Sequence, residues 1–156
     1  MKACGTRCRV VLGDARLSLA AQTDTRYQLI ALDAFSSDSI PMHLLTQEAM
    51  EVYLSRLAPH GVLAFHVSNR HLVLSPIVGR LAVNNGLTAL LRQDRREDGL
   101  PWANDKAPST WLMMARNPED LGALMRDPLW LEPRVTSATP LWTDDFSNIL
   151  DVLNLF

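Results

Sequence analysis

Short apolar runs alternate along this chain with longer stretches whose apolar positions recur every three or four residues. Arg9-Val10-Val11-Leu12 predicts a short strand stopped by Gly13. Asp14 suits the cap of a helix running to about Ala21, with Leu17, Ala20 and Ala21 on one face. Tyr27 through Leu32 is almost continuously apolar, which predicts a strand buried on both faces and ending at Asp33. After the polar stretch from Ser36 to Ile40, Thr46 is a cap candidate. Ala49, Val52, Tyr53, Leu54 and Leu57 then follow at helical spacing up to Pro59. His60-Gly61 predicts a turn, and Val62 to Val67 a second buried strand.

The alternation continues downstream. A helix is predicted from about Leu72 to Asn85, ended by Gly86, and a strand from Leu87 to Leu91. The polar stretch 92–109 reads as a long loop, and 110–115 as a further strand. Pro118-Glu119-Asp120 opens a short helix through about Met125, with acids beside the positive end of its dipole. Residues 127–140 read as irregular, and 144–155 as a terminal helix capped by Asp144-Asp145.

Strands alternating with helices predict an α/β fold, Rossmann-like, with a mostly parallel sheet. Ligands in such sheets bind beyond the carboxyl ends of the strands. Gly13-Asp14, the segment from Asp33 to Asp38, and Ser68-Asn69 are therefore the places to search. At 156 residues the chain has the length of one domain. A hydrophobic share of 47%, a charged share of 21% and a net charge of -2 fit a globular protein and give no electrostatic reason to expect nucleic acid. No apolar run is long enough to span a bilayer, so no membrane contact is expected from this chain. Cys4 and Cys8 are too few for a disulfide framework or a zinc site and read as thiols in a reducing, cytoplasmic setting.

The candidate chemistry is carboxylate chemistry. Asp33, at the mouth of the most apolar strand, is placed for proton transfer. Asp38 lies close enough in sequence to join it around a cationic amine, although Ser36 to Ser39 could equally form turns. Asp14 could accept from an exocyclic amine or simply cap its helix. His66, inside an apolar run, reads as a sheet residue, and the four tryptophans as packing residues. No nucleophile elbow, P-loop, metal-ligand cluster or G-x-G-x-x-G stretch is present in the sequence.

The stretch Val10-Val11-Leu12-Gly13-Asp14-Ala15-Arg16, followed by Tyr27 through Pro41 (YQLIALDAFSSDSIP), resembles the spermidine synthase-like family. The strand from Gly61 to Asn69 and the segment from Trp142 to Asn148 extend the likeness over nearly the whole chain. The resemblance implies the class I S-adenosylmethionine-dependent methyltransferase fold. It implies transfer of an aminopropyl group from decarboxylated S-adenosylmethionine to an amine such as putrescine. Gly13, Asp14 and Ala15 would lie against the adenine, Asp33 would be the catalytic aspartate that helps to take a proton from the attacking amine, and Asp38 a weaker match for a second amine-binding carboxylate. The implied partners are a small amine and a nucleoside cosubstrate, with no permanently bound cofactor.

Against that family the chain reads as a single incomplete domain, 1–156, lacking the first strand, the glycine-rich loop and the ribose-binding acid. The strand at 27–32 would then have a bare edge, a pairing hazard. Self-association through that edge, or movement of residues 9–12 into the gap, is expected. Two alternatives stand beside aminopropyl transfer: a catalytically silent oligomeric binding or assembly domain, and a methyltransferase on the same fold.

Overall fold

The computed structural model describes residues 8–35, 40–94 and 108–153. The elements run α1 (Ala15–Ala20), β1 (Tyr27–Leu32), α2 (Gln47–Arg56), β2 (Leu57–His66), α3 (Ser75–Asn84), β3 (Thr88–Asp94) and β4 (Ser109–Ala115). Short 3-10 segments follow β4 at Pro118–Arg126 and Ile149–Val152.

Local chemistry explains the helix starts. The Asp14 carboxylate accepts from the Leu17 amide at 2.8 Å and caps α1. The Thr46 hydroxyl accepts from the Ala49 amide at 3.3 Å and caps α2. Helix α3 has proline in its first turn and is followed by Gly86, at φ 64°, where a side chain would be strained.

The four strands form one sheet in the order β1-β2-β4-β3. β1 runs parallel to β2, and both β2 and β3 run antiparallel to β4, so three strands share a direction and β4 alone opposes them. The fold is α/β, with a mixed sheet in which β1–β2 is the parallel pairing. Alternation along β2 divides the core. Leu63 and Phe65 join the main cluster with Ala49, Met50 and Tyr53 of α2 and with Ile77, Val78 and Leu81 of α3. Val62, on the other face, joins a small cluster around Leu90, Ala115 and Leu121, covered by the segment Pro118–Arg126. Trp142 is fully buried in the main cluster, as a packing tryptophan should be.

Several expectations are corrected. Residues 9–12 form no strand; Leu12 is 90% exposed, and among the described residues none pairs with this segment as a ladder requires. β1 forms where expected but is not buried on both faces. It is the sheet's edge, and Leu29 is 56% exposed. A continuous apolar run shows that two faces could be covered, not that the chain carries two covers. The anticipated turn at His60-Gly61 is a bulge within β2. Between the pairs Tyr27↔Leu57 and Leu29↔Val62 the β2 side carries extra residues. A Cβ at Gly61 would meet the Tyr27 carbonyl oxygen at 2.8 Å, so this close approach selects glycine. β3 and β4 extend into the stretch read as loop, whose residues 95–107 lie outside the described ones.

In place of the expected terminal helix the described residues form one 3-10 turn at Ile149–Val152, and Asp144 is engaged by Arg16 and Glu48 rather than capping a helix. Cys8 is disulfide-bonded, which corrects its reading as a thiol. Too few cysteines for a framework still suffice for one bridge. Cys4 lies outside the described residues.

Replacing the fully buried Leu63 by alanine is expected to cost about 2–5 kcal/mol in urea unfolding. Leu29→Ala, on the exposed edge, is expected to stay within about 0.5 kcal/mol.

Candidate functional site

The sheet register assembles the site at the carboxyl ends of β1 and β2. Leu32 pairs with Phe65, so Asp33, one residue further, stands beside His66. His66 in turn pairs with Trp111 on β4, and Trp111 with Arg92 on β3. Four chemically distinct side chains thus share one row across the sheet.

Within that row, His66 Nδ1 lies 2.6 Å from Asp33 Oδ1, and its Nε2 lies 2.8 Å from Ser68 Oγ. The Thr110 amide donates to the same Ser68 Oγ at 2.7 Å. The imidazole stacks on the Trp111 indole with centroids 4.6 Å apart and planes at 17°. Asp33 Oδ2 has no hydrogen-bond partner among the described residues. The segment carrying Asp33 is anchored on its far side by Phe35. That ring is fully buried, and its carbonyl accepts from Asn69 Nδ2 at 2.8 Å.

Asp33 opens onto a cavity of about 430 Å³ between α1, β1 and α2. Ala15, Leu19, Ile30 and Leu32 give it apolar walls, and Ser18 and Gln22 give it polar points. That size and mixture match small-molecule sites in general. Tyr53 also lines it. Burial pushes the Tyr53 phenol up, keeping it protonated, and its hydroxyl donates to the Leu44 carbonyl at 3.0 Å.

The structure therefore brings Ala15 and Asp33, both candidates from sequence, to one cavity. Asp14 is nearby in sequence, but its carboxylate is already engaged. Oδ1 takes the Leu17 amide, and Oδ2 lies 3.0 Å from His43 Nε2. The Leu17 amide and His43 hold this carboxyl below its ordinary value. Gly13 carries φ 123°, a backbone state reserved for glycine in practice. Asp38 lies outside the described residues.

His66 is the functional candidate that sequence reading passed over as a sheet residue. Its position as the last residue of β2, level with the end of β1, was the available signal. Asp144, expected as a helix cap, also has another role. It receives a bidentate pair from Arg16 at 2.7 and 2.8 Å and a hydrogen bond from the Thr46 hydroxyl at 2.8 Å. The Arg16 guanidinium holds the Asp144 carboxyl down at about 2. This pair ties α1 to the segment after Trp142.

No protein-family model and no curated protein matches the chain. Among solved structures it is similar to MNMC2 from Aquifex aeolicus, with 16% identity and a TM-score of 0.48 over 92% of this chain. The chain spans 41% of that protein's length. Among the described residues no helix is long and apolar enough to cross a membrane.

A depressed carboxyl stabilises the fold above its unfolded value and loses that contribution as pH falls through its folded value. For Asp144 the window runs from 3.8 down to about 2. Thermal unfolding should show stability falling across this window. Asp144→Asn should lower stability near neutrality and flatten the slope.

Proposed function

We propose that this chain carries the acceptor side of a nucleoside-dependent transferase that moves an aminopropyl group from decarboxylated S-adenosylmethionine to a small amine. The observation that supports this reading is Asp33 itself. It is a carboxylate with one oxygen held by His66 and the other open, on a cavity of about 430 Å³ shared with Ala15. Bound there, the sulfonium cosubstrate would supply an electrophilic carbon and leave as a neutral thioether. The apolar walls around Leu19, Ile30 and Leu32 suit an adenine face and a thioether. Asp33 attracts the cationic amine and receives its proton as the nitrogen–carbon bond forms. Ala15 lines the cavity, Gly13 and Asp14 just before it would meet the nucleoside, and Asp38 would add a second acid for the amine.

Calorimetric titration with decarboxylated S-adenosylmethionine, S-adenosylmethionine and methylthioadenosine tests the reading, followed by a transfer assay with putrescine. Binding of the decarboxylated compound, weakened in Asp14→Ala, is expected. Asp33→Asn is expected to lower turnover by about 10²–10⁴-fold while the circular dichroism spectrum is retained. Preference for S-adenosylmethionine with methylated product would replace the reading by methyl transfer. No binding of any of the three would overturn it for this chain.

A second reading, a catalytically silent assembly domain, is favoured by the bare edge of β1 and by the exposed Val10, Val11, Leu12 and Leu17. On that reading, copies associate through β1. Light scattering should then show a dimer or larger species that Leu29→Lys shifts toward monomer. A monodisperse wild-type monomer removes this reading.

A further inference from the structure

Ser68, His66 and Asp33 stand at the separations that activate a nucleophilic hydroxyl, 2.8 Å and 2.6 Å. In that use the carboxylate is buried and the hydroxyl faces the substrate. Here the carboxylate is the exposed group and Ser68 is half-buried. The Asp33 side chain is 61% exposed, whereas that of His66 is 18% exposed. Asp33 lines the cavity and Ser68 does not. Ser68 Oγ also spends a lone pair on the Thr110 amide, which weakens it as a nucleophile.

We infer that the chain Thr110–Ser68–His66–Asp33 works outward. His66 is a positioning residue that holds Asp33 Oδ1 and leaves Oδ2 to meet the acceptor, and Ser68 fixes the tautomer of His66. The inference rests on the reading of Asp33 as the base. An ionised carboxylate only accepts, so the proton of the neutral imidazole sits on Nδ1. Nε2 is then an acceptor, and the Ser68 hydroxyl donates to it. Trp111 fixes the plane of the same ring by stacking. Three contacts from three directions leave the imidazole one orientation, and Asp33 inherits it. A freely rotating carboxylate would spend much of its time out of line with the amine, and misplacement of that order lowers turnover by about a hundredfold.

The first test needs no turnover. Long-range nitrogen–proton NMR of the full chain should show His66 protonated at Nδ1 when neutral. Its Nδ1 proton should lie downfield and vanish in Asp33→Ala. Ser68→Ala should yield a tautomer mixture, and Ser68→Thr should restore the single form. An Nε2-protonated ring in the wild type overturns the inference. So does His66-dependent labelling of Ser68 by a fluorophosphonate, which would make Ser68 the nucleophile.

The second test is kinetic. His66→Phe keeps a ring against Trp111 and should lower kcat for amine transfer about a hundredfold with KM little changed. His66→Asn, which can still donate to Asp33, should recover part of it. Unchanged kcat in His66→Phe overturns the inference while leaving transfer standing. The expected tautomer without any transfer overturns only the proposed function.

Discussion

The placement of β2 between two partners of opposite direction governs the rest of the molecule. Its parallel register with β1 puts the end of one strand level with the end of the other, and its antiparallel register with β4 sets Trp111 against His66. A slip of one residue on either side would turn His66 to the opposite face and part it from both neighbours. The bulge opposite Tyr27 absorbs the extra residues of β2 near its start. Regular pairing from Leu29 onward can then deliver Asp33 and His66 to the same edge.

The two faces of β2 have separate roles. Leu63 and Phe65 commit one face to the helices α2 and α3, where the larger cluster lies. His66 belongs to the other face, where the cover is thinner and an imidazole can be held without full desolvation. Polar chemistry is tolerated at the strand's end because its partners are built into the neighbouring strands. Asp33 comes from β1's end, Trp111 from β4, and Ser68 lies just beyond β2.

Features written within a few residues were legible in the sequence. The caps Asp14 and Thr46, the glycine after α3 and the apolar runs of the strands follow from local hydrogen bonding and patterning. Asp33 was legible because a carboxylate closing an apolar run is anomalous by itself. His66 was not, since its carboxylate partner lies 33 residues away on another strand. The Asp144 segment was misread for the same reason. Acids ahead of an apolar stretch look like a cap until Arg16, 128 residues distant, takes the carboxylate. The exposure of β1 depended on what stands beside it, which its own composition does not encode.

Helix α1 forms one wall of the cavity yet contains no fully buried residue. Leu19 packs against the main cluster and Arg56 donates to the Ala20 carbonyl, but the ion pairs that hold the helix, Arg16–Asp144 and Asp14–His43, are both partly open to water. The sheet is fastened by oily contacts, the wall of its cavity by charged contacts as well. These respond to different solvents. Added salt screens the second within about 10 Å and strengthens or spares the first. The wall can therefore loosen by local opening while the sheet stays intact. Amide exchange in α1 would quicken with ionic strength while that of β2 held still, and the cavity's affinity for any occupant would inherit that dependence.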